Sequence, residues 1–308
     1  MTGVAVLGMG TWGRNLIRVF SDQADVVVCA NRGDRDAHDW LRREYPRSRA
    51  SSSAHDAIED PAVEAVVIAT PIATHASLAT ASLAAGKAVF VEKPLATTAA
   101  AARRVVDAAD AAGHVLFVGH TFLFDAAFEA LEVITRSDPV ETIALSWLKQ
   151  GTFTEPLVWN LLPHEVALAS WLTGSTPSLS ILDRAAGPTE VDRLRLRLDF
   201  GAVAPRGTIE IDRIHGSKTK RARVGLRSGA VLEWKDGELS RIEPSGEARL
   251  LVGRTEEALG REVAAFLAAV RTGRPDKSDG HFGAAVVEAI EPVAISLDTA
   301  PSVAGQPA

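Results

Sequence analysis

Three glycines at fixed spacing follow the first apolar segment: Val4-Ala5-Val6-Leu7 runs into Gly8-Met9-Gly10-Thr11-Trp12-Gly13, and an amphipathic stretch begins there. A strand that passes directly into a helix through such a turn has few solutions. Gly8 permits the tight turn, Gly10 lets the main chain approach a pyrophosphate, and Gly13 lets the helix pack on the strand. The helix N-terminus then supplies free N–H groups and a positive dipole end. The chain is constrained to open as a strand–helix unit of a parallel sheet, with a phosphate-bearing ligand as the expected occupant.

The next hundred residues keep that rhythm. Short β-branched runs at Val4–Leu7, Asp25–Ala30, Ala65–Ala69, Ala88–Glu92 and Val115–Val118 alternate with helical stretches beginning near Trp12, Asp34, Thr74 and Thr97. The threonines are expected to cap their helices, and Gly86 and Gly113 to end them. After about Gly119 the pattern changes to longer runs with period two: Glu141–Lys149, Val191–Phe200, Ala204–Ile214, Lys218–Leu226 and Val231–Lys235. Helices near Pro163–Thr173, Glu256–Arg271 and Phe282–Leu297 are expected to cover that second sheet, and the tail from Ser302 to Ala308 to fray. The expected architecture is α/β, with a doubly wound parallel sheet over residues 1–119. An α+β domain with a large, mostly antiparallel open sheet follows over 120–308.

At 308 residues and 46% apolar content the chain has ample material for two cores. The formal charge of −6 carries no long block of either sign, which argues against a nucleic-acid footprint or a polybasic membrane anchor. The single cysteine, Cys29, lies in an apolar run and reads as a core residue in a reducing compartment; with no leader or long apolar span recognised, a cytoplasmic protein is expected. No histidine–cysteine cluster has ligand spacing, so no metal is expected.

The end of the second strand bears on cofactor choice. An acid there accepts ribose hydroxyls and repels a 2′-phosphate, but this chain reads Ala30-Asn31-Arg32. Arg32 offers a planar donor fork to a phosphate and Asn31 a neutral donor, which favours NADP(H); NAD stays open through Asp34 or Asp36. Thr70-Pro71-Ile72-Ala73-Thr74-His75 and Glu92-Lys93-Pro94 follow the carboxyl ends of two further strands, where an open parallel sheet binds its ligands. Proline after Lys93 fixes the turn and aims the ammonium into the crevice.

These segments, with Val118-Gly119-His120-Thr121-Phe122 and Trp159-Asn160-Leu161-Leu162-Pro163-His164-Glu165, resemble the Gfo/Idh/MocA family (glucose-fructose oxidoreductase, inositol dehydrogenase, rhizopine catabolism). The resemblance implies a Rossmann domain and nicotinamide-dependent dehydrogenation or reduction of a sugar, sugar nucleotide or cyclitol. It places Lys93 beside the nicotinamide and the reacting carbon and makes His164 the proton donor or acceptor. Gly8, Gly10, Thr11, Trp12, Gly13, Asn31, Arg32, Thr70, Pro71, His75, Glu92 and Lys93 form the expected cofactor set. His120, Phe122 and Asn160 join Lys93 and His164 as substrate-binding candidates. His75 and His120 sit where a strand end or helix start needs a cap, which favours structural or cofactor-loop roles over catalysis. The family often carries aspartate four residues before the histidine; Asn160 stands there instead, and it lacks the charge to stabilise an imidazolium. Tyr45, the one tyrosine, lies on the second helix, which leaves His164 as the proton-transfer group. A homodimer or homotetramer through the second sheet is expected, with Trp147, Trp234 or Ile209–Ile214 on the buried face. The alternatives are a cofactor-binding regulator or pseudoenzyme and an imine or dihydrodiol reductase on the same scaffold.

Overall fold

The opening strand β1 (Gly3–Leu7) is buried along its whole length and hands the chain to α1 (Thr11–Gln23). The computed structural model describes residues 1–151, 155–186, 191–201, 205–255 and 257–299. The expected strand start at Ala204, the helix start at Glu256 and the frayed tail lie outside them. After α1 come β2 (Asp25–Ala30), α2 (Arg35–Glu44), β3 (Arg49–Ser51), α3 (Ala54–Ile58), β4 (Ala65–Ile68), α4 (His75–Ala84), β5 (Ala88–Glu92), α5 (Ala99–Ala112) and β6 (Leu116–Gly119). The six strands pair in parallel in the order β3-β2-β1-β4-β5-β6. Chain direction across the sheet reverses between β1 and β4, and a crevice opens at such a switch point.

The chain divides into two compact units. The first joins Met1–Phe124 with Glu257–Val287, and the second joins the described residues of 125–255 with those from 288 onward. The division is discontinuous, whereas the sequence reading cuts the chain once, after residue 119. Helix α8 (Ala258–Thr272) accordingly differs from expectation: it packs in the first unit rather than over the second sheet. Its Phe266 meets Phe20, Phe90 and Phe117 at centroid distances of 6.0, 5.5 and 5.7 Å. Each such edge-on pair adds about 0.5–1.5 kcal/mol beyond area burial, so this aromatic cluster decides where the helix docks.

In the second unit, α6 (Ala126–Ser137), β7 (Val140–Gln150) and α7 (Leu157–Thr173) precede β8 (Ser178–Ala186), β9 (Val191–Asp199), β10 (Arg206–Asp212), β11 (Ile214–Leu226), β12 (Val231–Lys235), β13 (Glu238–Ile242) and β14 (Ala248–Val252). Their order is β14-β13-β12-β11-β7-β10-β9-β8, antiparallel except for β10 against β7. Period two holds: Leu194, Leu196 and Leu198 are buried while Arg195 and Arg197 are exposed. Helix α6 covers one half of the buried face, with Phe128 against Trp234, and α7 packs on β7, β9 and β10. A last helix, α9 (Gly280–Asp298), begins in the first unit and ends in the second.

Two cap expectations change. Thr74 makes no cap bond to α4, because its hydroxyl donates to Pro71 O at 2.7 Å. Thr98, not Thr97, caps α5 by accepting from Ala101 N. Trp147, Trp234, Ile209 and Ile211 all lie on the helix-covered face of the sheet and are buried. The open face presents Thr142, Ala144, Ser146 and Thr208, flanked by Arg195, Arg197, Arg221 and Arg223.

Candidate functional site

The glycines of the first turn answer to different demands. Gly8 has φ +99°, and a Cβ there would lie 2.4 Å from Ala69 O; a Cβ on Gly13 would lie 2.0 Å from Gly8 O. The fold itself therefore requires glycine at both positions. Gly10 is different: its φ is −68° and nothing lies within 4 Å of where its Cβ would point. It precedes α1, whose first turn has neither a side-chain cap nor an acid, so that Thr11, Trp12 and Gly13 present helix-start N–H groups. Free N–H groups beside open space fit a pyrophosphate.

At the end of β2 the residues are partly committed to one another. Asn31 accepts from Met9 N at 3.2 Å and donates to Asp34 at 3.3 Å, so it braces the glycine turn instead of standing free as a donor. Asp34 also caps α2 by accepting from Ala37 N at 3.0 Å. Both oxygens of Asp34 are thus engaged, while Arg32 and Asp36 lie exposed beside it. Arg14 lies over the Trp40 ring at 4.6 Å, tying α1 to α2.

Buried His75 joins the two loops expected to line the crevice. Its Nδ1 is 2.8 Å from Pro94 O and its Nε2 is 2.9 Å from Thr70 O. Burial lowers its pKa, with nearby Lys93 adding to the effect, so the ring is neutral and one N–H serves one carbonyl at a time. The ring thus fastens the turn that carries half-buried Lys93 to the Thr70–Pro71 loop. His75 is the first residue of α4 and does not cap it.

Behind Lys93 lies a group of buried acids that sequence reasoning missed in part. Glu92 accepts from the Trp12 indole N–H and from Lys93 N. Gly119 leaves room for that carboxyl, since a Cβ there would lie 3.1 Å from Glu92 Oε1. Burial raises Glu92 to about 7, against the donors Trp12 and Lys93. Glu262 on α8 is raised well above the usual carboxylate range by burial and then by Glu92; Thr121 donates to its Oε2 at 2.7 Å, while Oε1 has no partner among the described residues. Its signal in the sequence is an acid on the apolar stripe Leu259, Val263, Phe266, Leu267.

His120, at the end of β6, is buried with neither ring nitrogen partnered among the described residues, and its ring meets Phe282 edge-on at 5.6 Å. Burial and then Lys93 push its pKa down to about 3. It is therefore a neutral donor–acceptor rather than the cap expected at a strand end. Phe122 lies half-buried on the short 3₁₀ turn that follows.

In the second unit, α7 starts at Leu157, six residues before Pro163, so proline sits inside the helix rather than at its start. Asn160 and His164 thus share one face, one turn apart. The His164 ring packs on Trp147 at a centroid distance of 4.6 Å. Beside it, Glu165 is buried and forms an ion pair with Lys220 from β11, whose Nζ also lies 4.4 Å from the Trp147 centroid.

The parallel order of the six strands, the glycine turn after β1 and the uncapped start of α1 put the first unit in the dinucleotide-binding Rossmann class. Comparison with known proteins agrees. Residues 2–120 match the model of the oxidoreductase family with NAD-binding Rossmann fold, GFO_IDH_MocA. An inositol 2-dehydrogenase of Acidothermus cellulolyticus is 31% identical over 179 residues, 55% of this chain and 52% of that protein, so the alignment spans about half of the relative. One from Leifsonia xyli subsp. xyli is 29% identical over 270 residues, 79% of this chain and 78% of its own. Among solved structures, a Magnetospirillum magnetotacticum MS-1 protein classed with the oxidoreductases superposes with a TM-score of 0.82 at 30% identity, covering 94% of this chain and 98% of that one. The chain belongs to the Gfo/Idh/MocA family of oxidoreductases.

Proposed function

We propose that the protein is an NADP(H)-preferring dehydrogenase or reductase that moves a hydride between nicotinamide and a carbinol or ketone carbon of a cyclitol, sugar or sugar nucleotide. The observation that carries the reading is the open cradle at Gly10 beside the uncapped start of α1. The relatives named inositol 2-dehydrogenase support a polyol substrate.

A bound nicotinamide supplies or accepts the hydride. Residues 1–119 hold the cofactor: Gly10, Thr11, Trp12 and Gly13 receive the pyrophosphate, and Arg32 receives the 2′-phosphate. Engagement of Asp34 by Asn31 and Ala37 N supports the NADP preference, because it draws one of the two candidate ribose acceptors, Asp34 and Asp36, into the protein's own bonds. Lys93 stabilises negative charge on the substrate oxygen, and His164 gives or takes the hydroxyl proton. Neutral His120 offers one donor and one acceptor to substrate hydroxyls, and Phe122 and Asn160 are further substrate contacts. Residues 120–308 supply substrate contacts and, through the open sheet face around Thr142, Ala144 and Thr208, a homodimer or homotetramer in the cytoplasm.

The test is a panel of cyclitols, sugars and sugar nucleotides assayed by nicotinamide absorbance with NADPH and NADH, in wild type and Lys93→Met. Turnover favouring NADPH and a loss of about 10²–10³ in kcat for the variant are expected. A preference for NADH of about tenfold, some 1.4 kcal/mol, overturns the NADP assignment. No turnover across the panel, with equal cofactor binding in both proteins, favours the regulator instead. Light scattering at micromolar concentration checks the oligomer, which a monomer refutes.

A further inference from the structure

On β11 the side chains of Lys220, Ala222 and Val224 share the buried face, while Arg221 and Arg223 point to the open one. A lysine in that parity is costly to bury, and Lys220 is only 3% exposed. Its ammonium pairs with Glu165, itself fully buried and adjacent in sequence to His164. The backbone register sets Lys220 opposite Trp147, the ammonium lies 4.4 Å from that indole centroid, and the indole packs 4.6 Å from the His164 ring. His164, Trp147, Lys220 and Glu165 thus form a closed circuit within the second unit.

We infer that Lys220, clasped by Glu165, is a positioning residue for His164: it seats the imidazole through Trp147 and neutralises the carboxylate that would otherwise favour the imidazolium. The inference rests on the reading of His164 as the proton-transfer group. It also gives Asn160 a context, since the acid nearest His164 in sequence stands at 165 and its charge is matched by a lysine. Burial pushes the Glu165 carboxyl up and the Lys220 ammonium down, and their mutual attraction opposes both. Of the other charges on strands packed against these residues, Lys149 on β7 shares the Trp147 ring, 5.1 Å from its centroid, and Asp192, Asp212 and Asp236 have partners of their own. Asp192 on β9 is clasped by Arg213, Asp212 on β10 accepts from Ile214 N, and Asp236 accepts from Lys220 N. These groups persist in every variant below, so differences among variants report the pair.

The experiment titrates the His164 C–H resonance by NMR in the full chain, assigned with His164→Asn, and compares it with the pH profile of kcat. Lys220→Met, which leaves the carboxylate, moves the His164 midpoint up by about one pH unit or more, the usual effect of a close opposite charge. Glu165→Gln, which leaves the cation, does not raise it. The double variant K220M/E165L, which removes both charges, brings it back toward wild type. A midpoint that moves alike in both single variants, or in neither, overturns the inference; if Lys220→Met fails to fold, a rise in Glu165→Gln or a displaced midpoint in the double variant does so. Should His164→Asn keep full activity, the proton-transfer reading fails, while the NMR midpoints still judge the role of Lys220.

Discussion

Glu165 in the second unit and Glu262 in the first are both fully buried glutamates on helices, yet they live in opposite surroundings. Glu165 has a lysine reaching across from the sheet, whereas Glu262 has a hydroxyl on one oxygen and a second carboxyl, Glu92, nearby. The ion pair opposes the upward push of burial on the first, whereas like charge adds to that push on the second. Burial by itself says little about charge state, and the partner decides. The acid cluster stands directly behind Lys93 and the ion pair directly beside His164, so each proposed catalytic group inherits a different electrostatic background.

The contrast is broken most forcefully at Lys220. Lys220→Met should cost about 3–5 kcal/mol of stability in chemical denaturation of the second unit, because it strands a buried carboxylate, whereas K220M/E165L should be about as stable as wild type. Equal losses in both variants would mean that packing, not charge, governs the site.

Next in size is Glu262→Gln, whose effect depends on pH. Glu92 is raised to about 7 and Glu262 well above its ordinary value, so the folded protein holds protons that the unfolded chain releases. Stability from these groups is fully present below about 4.5 and is lost as pH rises through the folded values. Thermal melts should therefore find the glutamine variant more stable than wild type at pH 8, by a margin that shrinks toward pH 5. A larger advantage at pH 5 than at pH 8 would reverse the assigned protonation. The smallest effect belongs to Thr121→Val, which removes the hydroxyl donor to Glu262 and should cost about 1 kcal/mol by the same melts; no loss would mean that the hydroxyl is not needed to hold this acid.

Much of this was legible in order along the chain. The glycine turn, the β-branched runs of the parallel sheet and the alternation of Leu194-Arg195-Leu196-Arg197-Leu198 are local patterns, and local patterns suffice where backbone period and burial agree. The short β3 and β13, the edge strands β8 and β14, and the early start of α7 at Leu157 were not anticipated, because short or edge elements carry weak periodicity and proline disguised a helix interior as a start. Parity alone marks Lys220 as inward and the apolar stripe of α8 marks Glu262, but neither pattern names a partner.

By itself the sequence determined the two kinds of sheet and the glycine turn between β1 and α1, since these follow from spacing and side-chain type. Tertiary structure decided which unit receives α8, that His75 fastens the Lys93 turn to the Thr70 loop, and that Lys220 finds Glu165 55 positions away. The reason is physical: propensity and periodicity act over a few residues, while the cost of burying a polar group is relieved by whatever the fold brings alongside it.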